Sequence, residues 1–276
     1  MRDVSVIITT HNRADRVPRA IDSVLRQTLA PRELIVVDDA SVDGTPAVLD
    51  GYAAAGRLRR IRIEQSRGAN HARNAGLRAA SGELVAFLDD DDSWLPEKLA
   101  RQAEVLDTRR DVALVGCWFR RRGQVQKPPA AVPARALLSD NLIGGFSMCM
   151  FRRADAIAVG SMDETLKNAQ DWDLWLRLAE KGRVVCVPAC LAEYHLGAGD
   201  QITNQPNRQV HYENYLAVVK RHEHKMEFWT REKHRRVAAY HTTPRSRRLP
   251  RVYAGARYWL ARAVDGLGVR RALRWP

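Results

Sequence analysis

The chain has 276 residues, with 45 Lys and Arg against 32 Asp and Glu, a net charge of +13, and 45% hydrophobic residues. That composition gives one large globular domain, or one domain with an appendage, and excludes a disordered or fibrous chain. No apolar run approaches the ~20 residues of a membrane-spanning helix, the start MRDVSVIITTHN lacks the signal-peptide pattern, and Cys117, Cys149, Cys186 and Cys190 form neither a CxxC pair nor a zinc-spaced cluster, so a cytoplasmic protein with reduced thiols is expected.

The charge is uneven. Residues 207–276 hold 17 Lys and Arg against 5 Asp and Glu, a net of +12, which leaves +1 for residues 1–206. A basic tail on a near-neutral body suits an anionic partner: a membrane surface, nucleic acid or a polyanionic substrate. A solvated basic face is the plain alternative.

Residues 4–9 (VSVIIT) are a β-branched apolar run, the pattern of a buried strand, and lead into Thr10-His11-Asn12-Arg13. Val17, Ala20, Ile21, Val24 and Leu25 then fall on one helical stripe, with Pro18 near its start. Residues 34–37 (LIVV) form a second buried strand that ends at Asp38-Asp39. Ser41, Asp43 and Gly44 make a turn into a helix with Thr45 as cap and Pro46 at its first position. Residues 58–63 alternate apolar and basic side chains, as an edge strand does, and a helix over about 70–80 stops at Ser81-Gly82. The apolar run 84–88 is a further buried strand, and it halts at four consecutive carboxylates, Asp89, Asp90, Asp91 and Asp92. Pro96 then opens a helix that runs to Thr108.

The second half is less regular. A strand is expected over 112–117, a basic turn over 120–123, and a proline-rich connector over 127–133. Residues 146–151 read as a strand lying across the sheet's edge, and 163–170 as a loop. Residues 171–181 form an amphipathic helix with Trp172, Trp175, Leu176 and Ala179 on one face, as core or as pocket wall, and 184–187 and 191–195 read as two short strands. Three helical patterns follow from Asn207, the last carrying Tyr253, Trp259 and Leu260 in an apolar stripe.

Strands alternating with helices through short loops specify a mostly parallel sheet. Parallel strands all point one way, so Thr9, His11 and Arg13, the pair Asp38 and Asp39, and Asp89 to Asp92 emerge along one edge, where open α/β sheets bind ligands. Adjacent carboxylates repel, and a hard cation such as Mg²⁺ or Mn²⁺ would offset that repulsion. The bland alternative is a solvated acidic turn.

Four segments, VSVIITTHNRADRVPRAIDSVLRQT, ELIVVDDASVDGT, GANHARNAGLRAASGELVAFLDDDD with WLPEKL, and NAQDWDLWLRL, resemble the family 2 glycosyltransferases over roughly residues 3–195. The resemblance implies a GT-A fold: a single Rossmann-like nucleotide-binding domain over 1–206, with a mostly parallel central sheet flanked by helices. Within it, about 1–110 would serve the nucleotide-sugar and about 111–206 the acceptor, and 207–276 would be a basic helical extension. It also implies a nucleotide-sugar donor, usually a UDP-sugar, Mg²⁺ or Mn²⁺, and transfer with inversion to an acceptor hydroxyl on a glycan, a lipid-linked saccharide or a small molecule.

By the same resemblance Thr9, His11 and Arg13 touch base and ribose. Asp39 takes the base N–H, Asp38 serves the ribose or caps its turn, and Arg73 sits near the nucleotide. Asp89 to Asp91 match the DxD: Asp91 is the direct metal ligand, Asp89 or Asp90 serves the ribose or the metal, and His195 is a candidate for the metal or diphosphate. Asp171 is the implied general base, in a Gln170-Asp171 pair where such enzymes usually carry Glu-Asp. A turn histidine, a surface salt bridge and a helix N-cap are the respective plain readings of His11, Arg73 and Asp171. Asp173 reads as structural.

Two other classes fit less well. A nucleotidyl- or phospho-transferase usually has a Gly-rich phosphate loop, and here the first loop is THNRAD. A nucleic-acid-binding protein would use aromatics among the tail arginines; docking of that tail on the anionic inner face of a membrane, or its grip on a polyanionic acceptor, is preferred.

Overall fold

The computed structural model describes residues 3–195 and 208–242. The described residues belong to two compact units, divided between Val218 and Val219. The expected boundary at 206/207 and the third tail helix, with Tyr253 and Trp259, lie outside the described residues.

In the first unit β1 (Val4–Thr10), β2 (Glu33–Asp39), β3 (Arg59–Ile63) and β4 (Leu84–Asp89) alternate with α1 (Val17–Leu25), α2 (Thr45–Ala54) and α3 (Ala69–Ala79). β5 (Ser93–Trp94), α4 (Lys98–Thr108), β6 (Val112–Arg121), β7 (Gln124–Gln126) and β8 (Ala131–Val132) follow. Then come α5 (Ala134–Leu137), β9 (Met150–Arg152), α6 (Arg153–Ala158), α7 (Gln170–Leu178) and β10 (Arg183–Tyr194). α8 (Arg208–His222) and α9 (Phe228–Thr242) close the described chain.

One mixed sheet holds all ten strands, in the order β3-β2-β1-β4-β9-β6-β10-β5, with β7 on β6 and β8 on β10. β3, β2, β1 and β4 are parallel, and Val6 to Ile8, Leu34 to Val37 and Leu84 to Leu88 are almost wholly buried, as a sheet covered on both faces requires. β9 is antiparallel to both β4 and β6, so β6 and its parallel neighbour β10 point the same way as β1 and β4. Six strands thus deliver their carboxyl ends to one rim.

Several local expectations change. Residues 146–151 form no edge strand: a 3₁₀ turn, Phe146–Met148, leads into β9 between β4 and β6, where Phe151 fills the core. The connector 127–133 contains β8, which pairs with β10. The two strands expected over 184–195 are one strand, β10, whose register shifts around Pro188 and Ala189 let it continue past the proline. Arg120 and Arg121 belong to β6, and the turn falls on Arg122 and Gly123, both at positive φ. Thr45 is the first residue of α2, and α4 begins after Pro96, at Lys98.

α3 lies very close to the sheet because Gly76 has no side chain: a Cβ there would meet Ile7 Cγ2 at 2.4 Å and Val37 Cγ2 at 3.2 Å. Gly76→Ala is therefore expected to destabilise the fold by about 1–3 kcal/mol, the usual cost of overpacking, seen as a lower urea midpoint. The exposed, open Gly51 in α2 is the control: Gly51→Ala should leave the midpoint unchanged or raise it.

Candidate functional site

The carboxyl ends of β1, β2, β4, β6 and β10 surround a cavity of about 640 Å³. Thr9, His11, Arg13, Asp39, Arg73, Asp89, Asp90, Asp91 and Asp171 all line it. β1 has β2 on one side and its parallel partner β4 on the other, so the strand order reverses there, and loops leaving to opposite sides open a crevice.

At one end Asp39 closes β2. Ser66 Oγ donates to its Oδ2 at 2.7 Å, and the backbone N–H groups of Arg67 and Gly68 donate to it at 3.3 and 3.2 Å. A carboxylate has about four acceptor positions, so this one retains room for a further donor. Gly68 holds φ 93°, a conformation that favours glycine. The ring of His11 is exposed, with Nδ1 against the Asp39 carbonyl.

Asp38 points away from the cavity lining. Its buried carboxylate accepts from the Ser41 N–H at 2.9 Å, Arg60 Nη2 at 2.9 Å and Arg62 Nη1 at 3.1 Å. It therefore caps its turn and ties β2 to β3.

The acidic run divides by depth. Asp89, Asp90 and Asp91 line the cavity, whereas Asp92 is buried beneath it and accepts from the His195 N–H at 3.1 Å. Burial, reinforced by the charges of Asp91 and Asp89, pushes the Asp90 carboxyl up to about 7, and burial with the same two neighbours holds Asp92 well above the carboxylate range. Arg73 Nη2 donates to Asp89 Oδ1 at 2.7 Å, Arg13 Nε lies 3.8 Å from Asp90 Oδ1, and Arg19 Nη2 donates to the Asp91 carbonyl at 2.6 Å. The Arg73 guanidinium is held over the Phe146 ring at 4.2 Å.

An oxygen-only set of crowded carboxylates fits Mg²⁺ or Mn²⁺. Among the described residues no three His, Cys, Asp or Glu side chains form a complete metal cage. Such ions are commonly held by one or two carboxylates and completed by substrate phosphates, and Asp89 and Asp91 suit that role. His195 is not among the lining residues. Its Nε2 lies 2.9 Å from Ser93 Oγ, and burial, then Arg19, lowers its pKa and keeps the ring neutral.

Asp171 stands in the first turn of α7, preceded by Ala169 in the left-handed region at φ 55°. Its Oδ1 accepts from the Trp172 N–H at 2.7 Å, and its Oδ2 accepts from Asn141 Nδ2 at 3.1 Å. Burial raises its pKa to about 6, with the charge of Asp89 adding to the rise and Arg73 opposing it. A carboxylate so poised is an effective proton acceptor near neutral pH. Trp175 is core, packed on Phe146 and Phe151, and Trp172 is buried with its ring stacked on Tyr215 at 5.6 Å. Asp173 is buried and paired with Arg177, a structural role.

Sequence reasoning missed Asn141, Ser66, Gly68 and Gly145, which hold or border Asp171 and Asp39. They lie in loops without periodicity, and only Gly68, ahead of a helix, and Gly145, in a Gly-Gly pair, carried a local signal.

A family model described as "Glycosyl transferase family 2" matches residues 5–169. The chain is similar, at 33% identity over 70% of its length and 79% of the relative's, to TuaG of Bacillus subtilis, whose description assigns it provisionally to teichuronic acid biosynthesis. It is 28% identical, over 66% of its length and 72% of the relative's, to the Escherichia coli UDP-Glc:alpha-D-GlcNAc-diphosphoundecaprenol beta-1,3-glucosyltransferase WfaP. The fold matches Staphylococcus aureus TarS 1–349 in complex with UDP-GlcNAc, with a TM-score of 0.66 at 22% identity over 78% of this chain and 65% of that one. The chain spans 62% of the length of an uncharacterized Haemophilus influenzae glycosyltransferase, at 29% identity over 64% of its own.

The Asp171 carboxyl is expected to titrate near pH 6 when followed by carbon NMR. Asn141→Ala removes a donor to the charged form and should move that titration upward; an unchanged midpoint would show that Asn141 does not hold the carboxylate.

Proposed function

Because the chain belongs to glycosyl transferase family 2, we propose that it transfers a sugar from a UDP-sugar to an acceptor hydroxyl, with inversion, in the 640 Å³ cavity. The observation that carries this reading is the convergence of Asp39, Asp89 to Asp91 and Asp171 on that one cavity. The UDP-GlcNAc complex of TarS supports the donor class, and the diphosphoundecaprenol acceptor of WfaP supports a lipid-linked saccharide as acceptor.

In this mechanism Asp39 uses its remaining acceptor position for a base N–H, and Thr9, His11 and Arg13 border the nucleoside. Asp89 and Asp91 would hold a divalent ion, with Asp90 beside them; such an ion would supply positive charge against that growing on the diphosphate leaving group. Arg73 adds fixed positive charge at the same end. Asp171 takes the proton from the acceptor hydroxyl as its oxygen bonds to the anomeric carbon and the carbon–oxygen bond to the diphosphate breaks. Asp38 and His195 support the walls from behind.

The second unit, as far as it is described, fits docking on an anionic membrane, which would bring the enzyme to such an acceptor. Phe228 and Trp229 are 59% and 42% exposed and pack edge-to-face. Residues 219–242 around them carry seven Lys and Arg against three Glu. Exposed aromatics amid basic residues match a headgroup surface. Among the described residues no helix is long and apolar enough to cross a membrane.

Asp171→Asn is expected to lower UDP release from the accepted UDP-sugar by ~10²–10⁴-fold while keeping the thermal stabilisation by UDP with Mn²⁺. The wild-type rate should climb with pH through about 6 and then level, because a base with a raised pKa is lost on protonation below it. Full turnover by the variant, or no stabilisation of the wild type by UDP with Mn²⁺, overturns the reading. In flotation with vesicles containing phosphatidylglycerol, the wild type should rise with the lipid and the Phe228→Ser, Trp229→Ser double variant should largely stay behind; equal flotation removes the membrane role.

A further inference from the structure

Three arginines line the cavity, and they differ in what they face. At the donor end Arg13 and Arg73 pair with Asp90 and Asp89. At the other end, where β6 and β10 finish, Arg121 is exposed and pairs with no carboxylate among the described residues. Its neighbour Arg120 turns the other way, to Glu193. The Arg121 guanidinium lies 5.3 Å from the ring centroid of Tyr194, its register partner on β10, so its planar fork is held in place by a ring rather than used up by an acid.

This end adjoins the candidate base. Phe119, two residues before Arg121 and on the same face of β6, borders Gly144: a Cβ added there would meet the Phe119 ring at 3.3 Å. One added to Gly145 would meet Asp171 Oδ2 at 3.7 Å. The glycine pair therefore separates the Asp171 carboxylate from the Phe119 and Arg121 wall by no more than backbone. An acceptor whose hydroxyl reaches Asp171 extends over that wall. The other two arginines of the lining are already paired with Asp89 and Asp90, so Arg121 is the lining arginine left to meet an anionic acceptor against the repulsion of the carboxylates.

We propose that Arg121 binds an anionic group on the acceptor saccharide, a phosphate ester or a carboxylate, and so selects acidic or phosphate-linked acceptors over neutral ones. This rests on the assignment of Asp171 and of the donor end given above. The guanidinium fork matches two oxygens of either anion, which a lysine ammonium does only as a point charge.

The test uses the full chain with UDP and excess Mg²⁺ filling the donor end, and follows binding by calorimetry. N-acetylglucosamine 1-phosphate, glucuronate and neutral N-acetylglucosamine are the probes. One of the two anions should bind at least tenfold more tightly than the neutral sugar, and which one does so names the anion. Arg121→Gln should erase that preference and leave the affinity for UDP within twofold, and Arg121→Lys should restore only part of it. Equal binding of all three sugars by the wild type, or an undiminished preference in Arg121→Gln, overturns the assignment of Arg121 alone. Failure of UDP to bind overturns the donor end and this inference together.

Discussion

Negative charge gathered at one rim is the constraint around which this structure is organised. Asp89, Asp90, Asp91 and Asp171 share the wall of a single cavity, with Asp92 buried behind it. Like charges so placed are costly, and the chain answers in several ways. Arg73 and Arg13 pair with Asp89 and Asp90, Arg19 reaches the Asp91 backbone, and Asp90, Asp92 and Asp171 each hold a proton more tightly than an ordinary carboxylate. What the protein leaves uncompensated suits a cation and a proton, both of which the proposed transfer uses.

The floor beneath that rim is aromatic. Phe87 of β4, Phe146, Phe151 of β9 and Trp175 of α7 meet edge-on or tilted, with centroids 5.3–6.0 Å apart. Trp175 Nε1 donates to the Gly144 carbonyl at 2.9 Å, and Trp94 Nε1 to the Ser147 carbonyl at 2.7 Å. The segment 144–148 is thereby pinned between the acidic strand and the helix that carries Asp171. Gly145 faces that carboxylate, and Phe146 supports Arg73. A packed core of this kind is stiff, so it holds the acidic run and Asp171 at a fixed separation.

The same geometry gives the cavity a direction. The end under β1, β2 and α3 offers Asp39, held by the Ser66 hydroxyl and the Gly68 N–H, while the end under β6 and β10 offers Phe119, Tyr194 and a guanidinium with no acid partner among the described residues. Donor and acceptor are expected to enter at different ends and to meet where Asp171 and Asp89 approach one another. The membrane docking proposed for the second unit rests on Phe228 and Trp229, exposed in a basic setting.

By itself the sequence determined the elements whose pattern is local: the buried strands expected at 4–9, 34–37 and 84–88 and found at 4–10, 33–39 and 84–89, the stripe of α1, the acidic run that ends β4, and the amphipathic helix that carries Asp171. Periodicity and run length carry that information along the chain, and parallel alternation implied that the strand ends share an edge. Tertiary structure alone decided that 150–152 enters the middle of the sheet rather than its edge, that 183–194 continues as one strand past Pro188, that Asp38 turns inward to Arg60 and Arg62, and that Asn141 meets Asp171 from 30 residues away. Those outcomes depend on which surfaces come to face each other in space, and neither a residue type nor its spacing records what will lie opposite it once the chain has folded.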